Sequence, residues 1–166
     1  FTFAIAAILF AQMNVEMGIY LVLIIVEMLT GYFDDAAETP WGEYLKGILH
    51  SQKTVSVGGS QTLFETGVID LLKNSDVKFD NRYEEGLTPE EIQDVFRRTF
   101  FNDLFITSTN ALTTDGYLYN IDYTGNRVAA MIYGPKEVIV IAGKNKIFES
   151  EASAIEHVRN VACPAN

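Results

Sequence analysis

The run EVIVIA, from Glu137 to Ala142, is apolar at consecutive positions and not only at every second one. A strand with one face in water alternates apolar and polar residues, so a continuous β-branched run predicts a strand that is buried on both faces. Such strands occur in parallel sheets that carry helices on both sides. The run therefore favours an α/β fold with a largely parallel sheet.

Strand-like and helix-like patterns alternate along the chain from Trp41 onward. This alternation predicts parallel strands that are joined by crossover helices. Further strands are predicted at Thr54–Val57, Val77–Phe79, Asp103–Thr107 and Tyr117–Ile121. Helices are predicted at Trp41–Leu49, Thr62–Lys73, the segment that begins at Thr88, Arg127–Tyr133 and Glu151–Val161.

Two of the predicted helices carry capping signals in their first turns. Thr88 is followed three residues later by Glu91, which is the spacing of a capping box. Thr62 and Glu65 have the same spacing and predict a second capping box. Gly67 follows in the second turn of that helix, where glycine lowers helix propensity, and this indicates close packing of the backbone.

The first 45 residues differ from the others in charge, because they contain six acids and no Lys or Arg. Glu16 and Glu27 interrupt this apolar segment. Its longest charge-free piece, residues 1–15, is shorter than the ~18 residues that a membrane helix needs. We therefore expect a buried helix followed by a buried strand, with a membrane helix as the less favoured alternative.

Length and composition restrict the organisation and partners of the chain. The 166 residues suit one domain, with residues 1–44 as an apolar N-terminal segment of the same domain as residues 45–166. A net charge of −10 disfavours binding to nucleic acid or to acidic membranes. The single cysteine excludes an internal disulfide, and the two distant histidines do not suggest a metal site. This composition is compatible with the cytoplasm, where we expect the protein to be located.

Polar and glycine-rich turns follow three of the predicted strands. Ligands of parallel α/β sheets bind beyond the carboxyl ends of the strands, so we expect these turns to line one rim. The turns are Gly58–Ser60, Thr107–Asn110 and Gly143–Lys146.

The first of these turns, within VGGSQT, has the composition of a cradle for an anion. Gly58 and Gly59 allow a tight turn with exposed N–H groups before a helix, and Ser60 and Thr62 add hydroxyl donors. The equally weighted alternative is an ordinary strand-to-helix turn with Thr62 as the cap. Glu65 is a candidate nucleophile or base near this rim, although its spacing favours the capping role.

The stretch NIDYTGNR combines acceptors, amide donors and one fixed cation. Arg127 can bind a carboxylate or phosphate bidentately, and a cation in the first turn of a helix favours a partner anion. Asn120, Gly125 and Asn126 suit polar recognition beside it, and Asp122 is a second candidate base or nucleophile. The alternative is an internal Asp122–Arg127 pair that holds the loop closed.

Two more segments of the rim carry polar side chains. Asn110 ends the turn after the Asp103–Thr107 strand, and Lys144, Asn145 and Lys146 follow EVIVIA. The lysines are either the cationic wall of a pocket or, as is usual for loop lysines, solvated.

Five long stretches between Leu45 and Asn166 carry a family resemblance: TVSVGGSQTLFETGVIDLL, RYEEGLTPEEI, FITSTNALTTDGYLYNID, TGNRVAAMIYGPKEVIVIAGKNKI and RNVACPAN. In this order they resemble the lactate-utilisation (LUD) domain family. The resemblance implies a Rossmann-like sheet similar to the ribose-5-phosphate isomerase and CoA-transferase superfamily, which often holds phosphorylated or CoA-linked ligands at these loops. Tyr123 stands where the family usually has glycine, and this substitution is expected to narrow the loop before Gly125.

The resemblance also implies a role in bacterial lactate oxidation to pyruvate, alongside iron–sulfur partner proteins. We therefore expect a subunit that binds a small anionic ligand, and the sequence does not identify a cofactor. One alternative is a free-standing enzyme that acts on a sugar phosphate or CoA ester, with Glu65 or Asp122 as base or nucleophile. The other is a non-catalytic scaffold whose glycines serve only folding.

Overall fold

The computed structural model of the chain describes residues 7–12, 20–26, 40–49 and 53–165. The strands are β1 (Ala7–Gln12), β2 (Tyr20–Val26), β3 (Thr54–Val57), β4 (Lys78–Asp80), β5 (Leu104–Thr107), β6 (Ala111–Thr113), β7 (Leu118–Tyr119), β8 (Glu137–Gly143) and β9 (Ile147–Phe148). The helices are α1 (Pro40–Ile48), α2 (Gln61–Glu65), α3 (Val68–Lys73), α4 (Pro89–Arg98), α5 (Asn126–Tyr133) and α6 (Glu151–His157).

The main sheet has six strands in the order β1-β2-β8-β5-β3-β4. β1 is antiparallel to β2, and all the other neighbours are parallel. EVIVIA forms most of β8, which lies between β2 and β5 and is buried along nearly its whole length. The predicted α/β class, with a mostly parallel and Rossmann-like sheet, is confirmed.

Side chains of the central strands point alternately to two apolar clusters. On one face, Leu104 and Ile106 of β5 pack in a cluster with residues of β3, β8, α1, α2 and α3. On the other face, Phe105 packs with residues of β6, β8 and α5, including Ala130. The sheet is therefore covered on both faces, as its continuous apolar runs require.

The N-terminal segment contributes two strands where we expected a helix and a strand. β2 pairs with β8 over seven residues, from Tyr20 opposite Glu137 to Val26 opposite Gly143. The expected helix is not present at Ala7–Gln12, which is strand β1. A short run that is apolar at every position shows neither the helical nor the strand periodicity, so it fits a buried helix and a buried strand equally well. The prediction of a helix at these residues was wrong for this reason.

The helix predicted at Thr62–Lys73 is divided into α2 and α3. Gly67 separates them with a φ of +69°, a left-handed conformation that glycine adopts without a steric penalty. The capping box predicted at Thr62 and Glu65 is also wrong, because α2 is capped by Ser60 and its cap makes no side-chain hydrogen bond. Thr62 is instead buried inside the helix.

The capping box at Thr88 is confirmed, with Glu91 closing it through both reciprocal hydrogen bonds. The helix predicted to end at Val161 is α-helical only to His157 and continues as a π-helical turn. A small second sheet, in the order β7-β6-β9, packs through Leu112 on the second cluster. Within the described residues, no helix combines the length and apolar character that crossing a bilayer requires.

Candidate functional site

The chain reverses its direction of travel across the sheet between the neighbouring strands β3 and β5. From β3 it continues outward to β4, whereas from β5 it continues the opposite way to β8. A crevice opens beyond the carboxyl ends of the strands at such a switch point, and ligands of open α/β sheets bind there. The loops after β3, β4, β5 and β8 form this edge of the sheet, which we call the rim.

Gly58 makes the closest approach between two of these loops. A Cβ atom at Gly58 would overlap Thr107 Oγ1 and lie 3.2 Å from Arg127 Cδ. The carbonyl oxygen of Gly58 also lies 3.5 Å from the hydroxyl of Tyr83, which follows β4. Glycine is therefore needed here so that the turn after β3 can pack against the loop after β5.

Arg127 is buried and uses all five of its N–H donors within the protein. Nε donates to Asp122 Oδ1 at 2.9 Å, and Nη1 donates to the carbonyl of Ser108 at 2.9 Å and to Asn120 Oδ1 at 2.6 Å. Nη2 donates to Asn110 Oδ1 at 2.7 Å and to the carbonyl of Ile121 at 3.0 Å. In this arrangement the guanidinium joins the loop after β5 to the segment before α5.

Both carboxylate oxygens of Asp122 also form hydrogen bonds within the protein. One oxygen accepts from Arg127 and the other accepts from the main-chain N–H of Val128 at 2.7 Å. This is the internal pair that the sequence offered as the alternative to a ligand role for Arg127. Because both oxygens are engaged and one faces a guanidinium, the described geometry gives Asp122 no support as a base or nucleophile.

Lys146 enters the rim from the short 3-10 turn after β8. Its Nζ donates to Thr62 Oγ1 at 2.8 Å and to Ser108 Oγ at 2.9 Å, so it connects the loops after three strands. Burial and then repulsion by Arg127 lower the pKa of Lys146 to about 8, with Glu65 acting in the opposite direction. Among the described residues, no carboxylate forms an ion pair with Lys146.

Arg82 brings another cation to the rim from the connection after β4. Its Nη1 lies 3.3 Å from the position that a Cβ atom on Gly59 would occupy. The guanidinium carbon is 4.4 Å from the ring centroid of Phe96 and 5.4 Å from that of Tyr83. Burial lowers the pKa of Arg82, opposed by Tyr83 and Asp122, but a guanidinium remains charged at neutral pH.

No hydrogen-bond acceptor for Arg82 is found in residues 7–12, 20–26, 40–49 and 53–165. The sequence pattern does not single out Arg82, and it offers Lys146 only as one of several polar residues after β8, beside Lys144 and Asn145. The one signal for Arg82 was its position within RYEEGLTPEEI, a stretch that carries the family resemblance.

The other residues predicted for the site differ in their exposure and in their contacts. Ser60 is half-buried at the start of α2, whereas Glu65, Lys144 and Asn145 are exposed. Gly125 precedes α5 with a φ of +78°, and Asn126 Oδ1 accepts a hydrogen bond from Thr124 at 2.6 Å. Tyr123 is 98% exposed.

Among the described residues, no group of three or more His, Cys, Asp and Glu side chains could hold a metal ion. The rim instead carries cations and hydroxyl groups. Arg82 and Lys146 supply positive charge, and Thr62 and Ser108 supply hydroxyls that donate or accept. Donors of this kind suit an anion with further oxygen atoms.

A model of the LUD domain family matches residues 31–166. The chain belongs to the LUD domain family. This assignment confirms the resemblance seen in the sequence, and it associates the protein with lactate utilisation. No curated protein and no solved structure gives a significant match to this LUD domain.

Proposed function

We propose that this LUD domain binds a small anionic ligand at the rim as a subunit in lactate utilisation. The ligand's carboxylate or phosphate lies between Arg82 and Lys146. Thr62 and Ser108, which contact Lys146, offer hydroxyl groups to neighbouring oxygen atoms of the ligand. Lactate, which has a carboxylate and an adjacent hydroxyl group, is the first candidate.

The observation that carries this proposal is the presence of two cations without carboxylate partners at a switch point. Arg82 and Lys146 are both partly buried, and neither forms an ion pair with a described residue. Removing a cation from water is unfavourable unless an anion or a set of acceptors compensates. Two hydroxyls accept from Lys146 and two aromatic rings face Arg82, but no described carboxylate forms an ion pair with either cation. A bound anion would neutralise them, and these local charges would hold it despite the protein's net charge of −10.

Arg127 has a supporting role in this proposal. Its donors are used by the protein, so it does not grip the ligand directly. It holds the carbonyl of Ser108, whose hydroxyl accepts from Lys146. Arg127 also adds positive potential, which the lowered pKa of Lys146 reflects.

Thermal-shift and calorimetric titration with lactate, pyruvate, inorganic phosphate, sugar phosphates, nucleotides and CoA esters test the proposal. A true ligand at about 100 times its Kd stabilises the protein by ~2.7 kcal/mol. We expect Arg82→Ala and Lys146→Met each to weaken binding by about 1–3 kcal/mol, as for a charge-assisted hydrogen bond.

Lys78→Ala is the control for these two variants, because it also removes one positive charge. Lys78 begins β4, so it lies at the amino ends of the strands, away from the rim. We expect this variant to bind as the wild type does. Absence of binding by every compound would favour the scaffold alternative, and equal weakening by Lys78→Ala would show that only net charge matters.

We also propose that this LUD domain acts together with iron–sulfur partner proteins in the cytoplasm. Its support is family membership alone. Affinity capture of the tagged protein from a lactate-grown bacterium, followed by identification of iron–sulfur proteins in the eluate, would test it. A monomer that turns over lactate or a CoA ester by itself would contradict the subunit role.

A further inference from the structure

We propose that the Lys146 amine condenses reversibly with the carbonyl carbon of a bound 2-oxo acid to form an imine. This inference rests on the proposed function, because it takes the anion site as the place where the carboxylate of the oxo acid is held. It adds a covalent activity to a site that otherwise only binds.

The hydrogen bonds of Lys146 fit a neutral amine. Nζ has two acceptors, Thr62 Oγ1 at 2.8 Å and Ser108 Oγ at 2.9 Å. A neutral primary amine has two N–H groups, and both are satisfied by these hydroxyls. Its lone pair then points away from the two hydroxyls.

The charges around Lys146 increase the fraction of its amine that is neutral. Arg127 on α5 repels the ammonium, and Glu65 on α2 is the acid that opposes this effect. No ion pair with a described carboxylate stabilises the ammonium. A half-buried lysine beside another cation is the usual arrangement of an amine that forms Schiff bases.

The same surroundings indicate the class of carbonyl compound. Arg82 has no acceptor among the described residues and can take a carboxylate bidentately. A compound that satisfies both groups carries a carboxylate and an electrophilic carbonyl, and a 2-oxo acid has the two on adjacent carbons.

The atoms of the step balance without a further reactant. The nitrogen lone pair forms a bond to the carbonyl carbon, and the carbonyl oxygen takes up a proton to give a carbinolamine. The hydroxyl group then leaves as water and the C=N bond forms. The two hydrogen atoms of this water come from the amine. The hydroxyls of Thr62 and Ser108 touch the nitrogen and can pass these protons.

Reduction of the imine tests this directly. The whole protein is incubated with pyruvate, treated with sodium borohydride and sequenced by peptide mass spectrometry. We expect one carboxyethyl group on Lys146. Labelling of Lys146 should exceed that of exposed Lys144 by at least about tenfold, because only Lys146 lies at the proposed carboxylate site and about 1.4 kcal/mol of binding gives that ratio. Lactate, which has a hydroxyl group in place of the ketone, should give no adduct.

Lys146→Arg separates the covalent step from binding, because it keeps the positive charge and removes the primary amine. We expect it to bind lactate and pyruvate but to give no adduct, while Lys144→Arg is labelled as the wild type is. Calorimetric binding of pyruvate with no label on Lys146 would overturn the imine and leave the proposed anion site intact. Absence of both binding and label would overturn both proposals, and equal labelling of all exposed lysines would also refute the imine.

Discussion

At the scale of single residues, the turn after β8 decides what each of its lysines contacts. β8 ends at Gly143, and the 3-10 turn Lys144–Lys146 leaves Lys144 exposed while it directs Lys146 to Thr62 and Ser108. The sequence GKNK contains both lysines but does not show which one points inward. That choice depends on the residue at which the strand ends, and strand ends are among the least certain predictions from a sequence.

Arg82 illustrates a second limit at this scale. Its position over Gly59 depends on the ring of Phe96, which is fourteen residues away on α4. No local pattern encodes a contact of this kind, because it results from packing between elements. By contrast, the Asp122–Arg127 pair spans only five residues and was available from the sequence as one of two readings.

The charge of Lys146 predicts how lactate binding depends on pH. Its pKa is lowered to about 8 by burial and Arg127, with Glu65 opposing, so the ammonium is present below that pH and is lost above it. We expect lactate affinity to be constant at neutral pH and to fall by up to about tenfold per pH unit above pH 8. Isothermal titration between about pH 6 and pH 10 measures this.

Lys146→Arg is the control for this pH dependence. Its guanidinium stays charged throughout the range, so the fall in affinity near pH 8 should disappear. Glu65→Gln tests the opposing charge, and its removal should move the midpoint of the fall to lower pH. The same fall in the Lys146→Arg variant would assign the dependence to another group.

At the scale of secondary-structure elements, glycines set the geometry of the rim. Gly58 lets the β3–α2 turn pack on Thr107 at the end of β5, and Gly67 divides the following helix in two. The sequence indicated close packing at Gly67, but the continuous helix that we predicted ignored the left-handed break. The apparent capping box at Thr62 and Glu65 failed because Thr62 is buried and accepts from Lys146.

Gly58→Ala should destabilise the protein because the added methyl group overlaps Thr107 Oγ1 and lies close to Arg127. We expect a loss of about 1–3 kcal/mol in the free energy of unfolding, as for overpacking of a well-packed interior. Urea denaturation of the wild type and the variant measures it. Thr107→Ala in the same chain should recover part of the loss, since it removes the overlapping hydroxyl.

Gly47→Ala is the matched control for Gly58→Ala. Gly47 lies in α1, and a Cβ atom there would meet no described atom within 4 Å. We expect this variant to be neutral or to gain about 0.5–1 kcal/mol, because alanine favours the helix. An equal effect of the two substitutions would show that the contact with Thr107 is not the cause.

At the scale of the whole molecule, the two ends of the parallel sheet differ in how their charges are paired. At the amino ends of β3, β5 and β8, Lys53 pairs with Glu137 at 2.7 Å and Lys136 pairs with Asp103 at 2.8 Å. At the carboxyl ends, Arg82 and Lys146 have no described carboxylate partner. The carboxyl end also contains the internal pair of Arg127 with Asp122, but Arg82 and Lys146 leave positive charge there that is available for a ligand.

The sequence predicted the architecture better than it predicted this difference. Each strand carries its own apolar run and each turn its own glycines, so the α/β class and the rim could be inferred locally. The antiparallel strand β1 and the pairing of β2 with β8 could not be inferred, because no residue in an apolar run specifies its neighbour. The partners of each charge depend on the strand order, which is a property of the whole fold.

Asp103 closes the amino end of the sheet and makes its stability depend on pH. Asp103 Oδ2 accepts from the N–H and hydroxyl of Thr54 at 3.0 and 2.9 Å, and Oδ1 accepts from Lys136. The hydrogen bond from Lys136, followed by those from Thr54, lowers the pKa of Asp103. A carboxylate with a lowered pKa stabilises the fold above the unfolded pKa, near pH 4, and loses this effect as the pH falls below it.

Asp103→Asn should therefore cost about 1–2 kcal/mol in the free energy of unfolding at pH 7, because a charged acceptor is lost. The difference from the wild type should shrink as the pH falls below about 4, because the carboxylate takes up a proton there in the unfolded wild type but not yet in the folded protein. Asp94→Asn removes the carboxylate from an exposed pair with Arg97 and should change stability by less than about 0.5 kcal/mol. Denaturation at pH values between about 3 and 7 measures both variants, and a difference for Asp103→Asn that stays constant over this range would contradict the role of its charge in joining β3, β5 and the start of β8.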